Sequence, residues 1–206
     1  MTTQRTVPNL VYRENRGLRR MRRAVDISVA LCALLVAAPV IALACAAIFC
    51  EDGGPVFFLQ RRAGRFERMF TIFKLRTMRL EACEDRPSPT AGGDARITAV
   101  GRILRKTSID ELPQLFNVLR GDMSLIGPRP EMPIMVGRYE SWQHLRHLIS
   151  PGITCIWQTT CRSTVPLHRP QATALDLAYI ERASPLLDAS LLARTVLSLV
   201  LPKGAY

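Results

Sequence analysis

The longest apolar segment of the chain lies near its N-terminus, between Ile27 and Cys50, and contains no charged residue. At a helical rise of about 1.5 Å per residue it would extend roughly 36 Å, which is enough to cross a bilayer. Pro39 lies near its middle, where a proline removes a backbone hydrogen bond and kinks a helix. The pattern predicts a membrane helix over residues 27–50 with a bend at Ala38 and Pro39.

Basic residues flank this segment on both sides. Residues 1–26 are predicted to form a basic lead-in helix, and arginines return at 61, 62, 65 and 68. Because cytoplasmic flanks are rich in lysine and arginine, both ends are expected on the cytoplasmic side, close to anionic lipid. A re-entrant helix that enters and leaves by the same leaflet would satisfy both flanks. The alternative is an ordinary kinked transmembrane helix, and the sequence supports the two about equally.

The pattern after the membrane segment predicts one mostly α domain, residues 51–206, with a small β-hairpin. Short apolar runs at 56–58 and 69–73 flank a basic loop and read as the hairpin. Apolar spacing predicts helices at about 108–120, 131–148 and 171–183. The apolar run 186–201 is too short to span a bilayer, so it is either an amphipathic helix at the membrane interface or a core helix.

The composition adds a strong charge imbalance: 28 basic residues against 17 acidic ones give a net charge of +11. Such a balance indicates an anionic partner, which could be nucleic acid, anionic lipid or a phosphate-rich substrate. Only 6% of the residues are aromatic and no recognition-helix or RNA-binding signature is present. Nucleic acid is therefore the least favoured of the three partners.

The cysteines and histidines do not form a recognisable metal motif. The six cysteines are scattered, with no pair of CxxC motifs, which is typical of free thiols in a reducing compartment. His144 and His147 could share a helical face, but no cysteine or acidic ligand lies near them in the sequence. Solvated or core histidines are therefore the favoured interpretation of this pair.

The run from Gly101 to Pro113 carries the strongest indication of chemistry. Ser108 and Glu111 have capping-box spacing, which predicts a helix with Asp110 and Glu111 in its first turn. Pro113 favours a start one or two residues later. The positive end of the helix dipole would keep both carboxylates ionised, which suits a carboxylate nucleophile, and would favour a bound phosphate. The alternative is a simple helix cap among solvated ion pairs.

Two adjacent carboxylates would repel a polyphosphate unless cations surround them. Arg102, Arg105 and Lys106 directly precede the pair. Guanidinium groups bind phosphate oxygens in a bidentate way, and a divalent cation such as Mg²⁺ could bridge carboxylates and phosphates. The further basic candidates for phosphate or nucleotide binding are Arg62, Lys74, Arg76 and Arg129.

Beyond single motifs, the order of many short segments is similar to that of the bacterial sugar transferases, also called monotopic phosphoglycosyl transferases. The resemblance covers about residues 20–206. Its segments are Gly54–Phe58 with Gln60, Arg62 and Gly64; Phe70, Lys74, Arg76 and Met78; Asp94, Arg96 and Thr98; Gly101-Arg102; Thr107–Leu119; Gly121–Ser124; Gly127–Pro130; and Pro151–Thr154.

The resemblance implies a monotopic membrane protein with a re-entrant helix, at the cytoplasmic face of the bacterial inner membrane. Family members transfer a sugar-1-phosphate from a nucleotide diphosphate sugar, here expected to be a UDP-sugar, to polyprenyl (undecaprenyl) phosphate. The products are a polyprenyl diphosphosugar and a nucleoside monophosphate, here expected to be UMP. This step begins polysaccharide or glycan assembly, so other assembly enzymes are possible partners.

The resemblance also implies roles for individual residues. Asp110 matches the nucleophile that forms a covalent phosphosugar intermediate, and Glu111 matches the acid that helps to organise Mg²⁺. Arg105 matches a phosphate-binding arginine, while Arg129 and Arg162 match arginines placed around the site.

Several positions depart from the family pattern. Ala38 replaces the serine of the usual Ser-Pro bend, Cys155 and Cys161 stand where glycines are usual, and Trp157 replaces a small residue. The last three changes leave the donor sugar open and motivate an alternative, a catalytically silent membrane adaptor of a polysaccharide assembly complex. The large extra membrane domain of longer relatives has no counterpart in this sequence, so a minimal catalytic unit is expected.

Overall fold

The computed structural model describes residues 16–80, 94–160, 167 and 169–200, and its elements confirm the mostly helical fold class with a small hairpin. The helices are α1 (Arg16–Asp52), α2 (Ala99–Thr107), α3 (Gln114–Arg120), α4 (Pro133–Val136), α5 (Ile156–Thr160), α6 (Pro170–Arg182) and α7 (Pro185–Val200). The strands are β1 (Phe57–Ala63), β2 (Met69–Leu75), β3 (Ser124–Ile126) and β4 (Gly152–Thr154). Single 3₁₀ turns cover Arg65–Glu67, Ile109–Glu111 and Gln143–Leu148.

The N-terminal helix α1 is continuous over 37 residues and contains Pro39. Within the described part of the chain, it is the one helix that is long and apolar enough to cross a membrane. The described part of the predicted lead-in and the predicted membrane segment therefore form one helix, with no break between residues 26 and 27. Residues 1–15 of the lead-in lie outside the described part, and the re-entrant course stays a prediction.

The first part of α1 is fastened to the body of the domain. The guanidinium of Arg23 donates to the carbonyl oxygens of Val118 and Leu119 at the end of α3, at 2.5 and 2.8 Å. Both carbonyls lie in the last turn of α3, so the arginine helps to cap this helix, together with the amide of Gly121, which also donates to the Val118 carbonyl. Asp26 is buried and accepts a hydrogen bond from the backbone amide of Leu125 at 3.0 Å.

The last part of α1 is fastened to the same body. Ile48 is buried in an apolar cluster that includes Leu104 of α2. The carboxylate of Glu51 accepts a hydrogen bond from the backbone amide of Ala99 at 2.8 Å, which caps the beginning of α2. The middle of α1 is different, because its apolar side chains are exposed. Leu35 has 70% of its surface exposed, and its neighbour Val36 has 78%. Both ends of the apolar helix therefore contact one domain, while its centre presents bare apolar side chains.

The predicted hairpin is confirmed and is longer than its apolar runs. Strands β1 and β2 pair antiparallel, with Phe58 opposite Lys74. Gln60 and Lys74 are largely covered by the domain, whereas Phe57 and Leu59 on the other face are about half exposed. The covered face is mixed, because Ile72 packs into the apolar core while Lys74 borders the charged site described below.

Asn117 of α3 closes the outer edge of β2. Its side-chain oxygen accepts a hydrogen bond from the amide of Phe73 at 3.0 Å, and its side-chain nitrogen donates to the carbonyl of Thr71 at 2.7 Å. The residue is completely buried. Its amide group thus replaces a third strand and satisfies backbone groups that would otherwise be unpaired.

Two helix predictions are wrong in their details. The helix predicted from residue 108 begins at Gln114, because Ser108 ends α2 in a left-handed conformation (φ 57°) and makes no capping hydrogen bond with its side chain. The predicted helix 131–148 is broken, because Gly137 ends α4 after a single turn, and only a 3₁₀ turn follows at Gln143–Leu148.

The C-terminal half contains one element that the sequence did not indicate, a short parallel pairing of β3 with β4. The two strands approach so closely that a Cβ atom at Gly152 would lie 2.1 Å from the backbone nitrogen of Gly127. The predicted helices at 171–183 and 186–201 are confirmed as α6 and α7. Along α7, Leu191 is buried while Leu186 and Leu197 are exposed.

We expect Asn117→Ala to destabilise the domain, because it removes two hydrogen bonds that a completely buried side chain makes to the amide of Phe73 and the carbonyl of Thr71. The expected loss is about 2 kcal/mol, the sum of two hydrogen bonds. Thermal unfolding of the detergent-purified protein, followed by circular dichroism, measures it. Gln171→Ala, on the exposed surface of α6, is the control; equal melting temperatures for the two variants would contradict the role of Asn117.

Candidate active site

Asp110 and Glu111 lie side by side in the 3₁₀ turn between α2 and α3. The left-handed Ser108 turns the chain out of α2, and Pro113 at the beginning of α3 prevents the two helices from merging. This connection places both carboxylates beneath the covered face of the hairpin, where each is at least nine-tenths buried. Buried adjacent acids require compensating charge or protonation.

Glu111 is clamped by two cations that come from distant parts of the chain. Lys74 of β2 donates to Oε1 at 3.0 Å. Arg129, from the turn after β3, donates to Oε2 at 3.3 Å and makes a second, shorter contact with Oε1. The guanidinium of Arg129 also donates to the side-chain oxygen of Gln158 at 2.9 Å. The backbone carbonyl of Arg129 accepts a hydrogen bond from Arg146 at 3.0 Å. Arg129 is thus fixed at both its side chain and its backbone.

Asp110 has a different environment from its neighbour. No residue in the described ranges donates a hydrogen bond to its carboxylate, although Lys74, Arg105 and Arg129 are close enough to act on it by charge. Burial raises the pKa of Asp110, and the negative charge of Glu111 adds to this, while the three cations oppose it. This result differs from the sequence-based expectation of a carboxylate kept ionised by a helix dipole.

The cations of the site are themselves affected by burial. Burial lowers the pKa of Lys74, against the raising effect of Glu111. Burial also lowers the pKa of Arg62 to about 10. Arg129 behaves differently: burial opposes its charge, but the contact with Glu111 outweighs burial and holds its pKa above the usual value. Glu111 therefore keeps positive charge in a place where burial would otherwise remove it.

Two further arginines border the carboxylates. Arg62 of β1 donates to the side-chain oxygen of Gln60 at 2.6 Å and lies 3.9 Å from Glu131. Arg105 of α2 donates to the hydroxyl of Thr77 at 2.8 Å. Arg105 is partly exposed, so its remaining N–H groups can reach an anionic ligand, whereas Arg62 is mostly buried and its buried Nε makes no hydrogen bond with a described residue.

The structure brings together most, but not all, of the residues predicted for the site. The gathered set is Asp110, Glu111, Lys74, Arg129, Arg62 and Arg105. Arg76 instead pairs with Asp52 at the end of α1, at 2.8 Å, and Arg102 lies exposed on α2 with no side-chain partner among the described residues. Arg162 lies outside the described residues.

Sequence reasoning missed residues that position the site rather than form it. Gln158 contacts Arg129, and the completely buried ion pair of Arg146 with Asp176, at 2.6 Å, holds the arginine that contacts the Arg129 backbone. Nothing in the local sequence marks these residues, since each acts on a partner at least 17 positions away. Cys155 and Trp157 pack in a small apolar cluster with Ala172 and leave the charged group intact.

The donor set is compatible with a hard divalent cation. Carboxylate oxygens are the ligands that Mg²⁺ prefers, and it accepts one or two of them together with substrate phosphates. No described residue donates a hydrogen bond to Asp110, and the carboxylate of Glu111 is adjacent to it. The pair therefore fits the predicted metal at the level of residue chemistry.

The sequence is similar to a family profile and to individual known proteins. A profile described as bacterial sugar transferase matches residues 18–202. An uncharacterised sugar transferase of Bacillus subtilis, EpsL, is 36% identical over 89% of this chain and 89% of its own length. The UDP-glucose:undecaprenyl-phosphate glucose-1-phosphate transferase of Caulobacter vibrioides is 42% identical over 90% of this chain and 72% of its own length.

A longer relative matches over only part of its length. The galactosyl transferase CpsE of Streptococcus agalactiae is 36% identical over 89% of this chain, but the match spans 43% of CpsE. The family profile covers most of this chain, and EpsL matches it along nearly its whole length. The chain therefore belongs to the bacterial sugar transferase family of enzymes.

Proposed function

We propose that this chain is a membrane-bound phosphotransferase that moves a sugar-1-phosphate from a UDP-sugar to undecaprenyl phosphate. The observation that carries the proposal is the contrast between the two neighbouring acids. Glu111 is neutralised by Lys74 and Arg129, whereas Asp110 lies in the same positive field without a hydrogen bond from the described residues. An unbonded, desolvated carboxylate is more nucleophilic than a solvated one, because it has fewer hydrogen bonds and less hydration to give up when it attacks.

The reaction would proceed in two displacements at the same phosphorus. An oxygen of Asp110 attacks the sugar-bearing phosphate, the bond to the nucleoside monophosphate breaks, and UMP leaves with the electron pair. A phosphate oxygen of undecaprenyl phosphate then attacks the aspartyl phosphosugar and releases the Asp110 carboxylate. The product is undecaprenyl diphosphosugar, which would serve the first membrane step of polysaccharide or glycan assembly.

The surrounding cations would stabilise the charge that shifts during these steps. Glu111 holds Arg129 and Lys74 rigidly, so these cations would need little rearrangement during the reaction. Arg62 and Arg105 border the carboxylates and can bind the oxygens of the incoming diphosphate. Asp110 and Glu111 would hold Mg²⁺, which when bound supplies Lewis-acid polarisation of phosphate oxygens and neutralises part of the diphosphate charge.

The contacts of α1 support a monotopic placement at the cytoplasmic face of the inner membrane. Arg23 and Asp26 near one end of the apolar segment, and Glu51 at the other, all bond to the same domain. A helix that crossed the bilayer would separate these two groups by the thickness of the membrane. A re-entrant course, with the exposed side chains around Val36 in lipid, keeps both groups on one side.

We expect Asp110→Asn to abolish formation of the covalent intermediate, because an amide side chain cannot form the acyl phosphate. UMP release from a panel of UDP-sugars with undecaprenyl phosphate should fall by at least about 10³-fold. With a UDP-sugar alone, intact-protein mass spectrometry should detect the added phosphosugar on the wild type and on the control Asp122→Asn. Full turnover by Asp110→Asn, or an adduct on it, would exclude the two-displacement mechanism.

We expect the two acids to affect stability in opposite ways. The raised pKa of Asp110 means that its ionised form destabilises the fold above that pKa, so neutral Asp110→Asn should melt at the same temperature as the wild type or higher. Glu111→Gln leaves two buried cations uncompensated and should cost about 3–5 kcal/mol. Thermal unfolding at neutral pH measures both, and a larger loss for Asp110→Asn would contradict this division of roles.

The topology predicts where cysteine probes will react. In a cysteine-free background, Arg20→Cys and Pro55→Cys replace exposed residues on either side of the apolar segment. Because both flanks are expected in the cytoplasm, neither should react with an impermeant maleimide in intact spheroplasts, and both should react after permeabilisation. Labelling of Pro55→Cys in intact spheroplasts would establish a spanning helix instead.

A further inference from the structure

A second group of ligand-type side chains lies at the turn of the hairpin. Glu67 comes from the 3₁₀ turn between β1 and β2, while His144 and His147 come from the turn Gln143–Leu148. Oε1 of Glu67 lies 2.5 Å from Nδ1 of His144 and 3.5 Å from Nδ1 of His147. One ligand atom from each residue lies within 4.8 Å of the other two. The sequence separates Glu67 from the histidines by more than 70 positions, so it gave no sign of this group.

His147 lacks a partner that its burial would require. Its side chain is 8% exposed, and Nδ1 makes no hydrogen bond within the described part of the chain. A buried ring nitrogen without a donor or acceptor is costly, so such an atom indicates a missing ligand. The 3.5 Å between this nitrogen and Oε1 of Glu67 is close to the separation of two ligand atoms on one metal ion.

The other two residues hold the group open to solvent on one side. The side chains of Glu67 and His144 are 43% and 37% exposed, which gives an ion a path of entry. Phe66 and Glu67 both have positive φ angles, 52° and 59°, an uncommon conformation for residues with a side chain. This strained turn is what directs the Glu67 carboxylate towards the histidines, and strain of this kind concentrates at ligand sites.

We propose that Glu67, His144 and His147 form a binding site for a divalent transition metal ion, with zinc the ion that its ligands suit. Two imidazole nitrogens and one carboxylate oxygen are a typical three-ligand zinc set that leaves a fourth position for water. Tetrahedral coordination separates ligand atoms by about 3.3 Å, so small side-chain rotations from the present distances suffice. Mg²⁺ prefers oxygen ligands and would not compete here.

The surrounding charges permit a cation at this place. Arg146 is adjacent in sequence to His147, but it also forms a completely buried ion pair with Asp176 at 2.6 Å, which offsets part of its charge. The ring of Tyr139 stacks on His147, with 6.1 Å between the ring centroids, and fixes the orientation of the imidazole. An ion pair between Glu67 and His144 would explain their contact, but Nδ1 of His147, 3.5 Å from the same carboxylate oxygen, still makes no hydrogen bond with a described residue.

A bound ion would join the turn of the hairpin to the segment that supports the active site. The hairpin carries Lys74, and the 3₁₀ turn Gln143–Leu148 carries Arg146, whose guanidinium donates to the backbone of Arg129. The ion would therefore stabilise the relative position of the two cations that clamp Glu111. The site itself does not depend on the proposed transfer reaction.

Metal titration of the detergent-purified full chain tests the site. The purified wild type, stripped with chelator and kept in millimolar Mg²⁺, should bind one equivalent of Zn²⁺ more than His144→Ala. Zn²⁺ should raise the melting temperature of the wild type but not that of His144→Ala. Glu67→Gln should bind this equivalent at least about tenfold more weakly. Glu140→Gln, a nearby exposed acid outside the group, is the matched control and should behave as the wild type.

Cobalt substitution separates this site from adventitious binding to the cysteines. Co²⁺ in the wild type should give visible absorption typical of nitrogen and oxygen ligands, without the near-ultraviolet charge-transfer band of thiolates. Circular dichroism in chelator should show His144→Ala folded, so that its loss of binding reports a ligand. Equal Zn²⁺ stoichiometry in the wild type and folded His144→Ala, or a thiolate band in place of the expected spectrum, would overturn the proposal.

Discussion

The buried ion pairs of Glu111 with Lys74 and Arg129 are the interaction on which the rest of the domain depends. Three segments that are far apart in the chain converge on one carboxylate: β2, the 3₁₀ turn after α2, and the turn after β3. Each charge would be costly to bury alone, and removing any one of them leaves the others uncompensated. The hairpin, α3 and the β3 turn therefore have to be positioned together, and the buried clamps at Asn117 and Arg146 keep them so.

The same constraint explains how the apolar helix is attached. The charged site occupies the interior of the domain, so the apolar surface needed for a core is supplied in part by α1, through Ala30 and Ile48. Polar anchors on both sides of the apolar segment, Arg23 and Glu51, cap the ends of α3 and α2. The helix is thus part of the fold, and the exposed apolar face around Val36 is a consequence of using only one side of it for packing.

Local pattern was sufficient to predict some of this architecture but not the site. Two short apolar runs on either side of a basic loop predicted the hairpin, and apolar patterning predicted α6 and α7, because these signals are local. The capping box at Ser108 failed because capping requires an extended Ncap, whereas Ser108 adopts a left-handed conformation that ends the preceding helix. The clamp of Glu111 and the group around His147 could not be predicted, since each depends on partners from other segments. The resemblance to a family identified the acidic pair, but not the different environments of its members.

Those different environments follow from a conflict between two requirements of the chemistry. A diphosphate can be bound only where positive charge is concentrated, yet a carboxylate surrounded by bonded cations is a poor nucleophile. A single acid cannot satisfy both demands. In this chain Glu111 accepts the bonds that hold Lys74 and Arg129 in a buried position. Asp110 is affected by the same charges without a hydrogen bond from a described residue, and burial raises its pKa because these charges compensate it only in part. In the proposed reaction one acid of the adjacent pair would hold the cations while the other reacts beside them, which would explain why two neighbouring acids are needed.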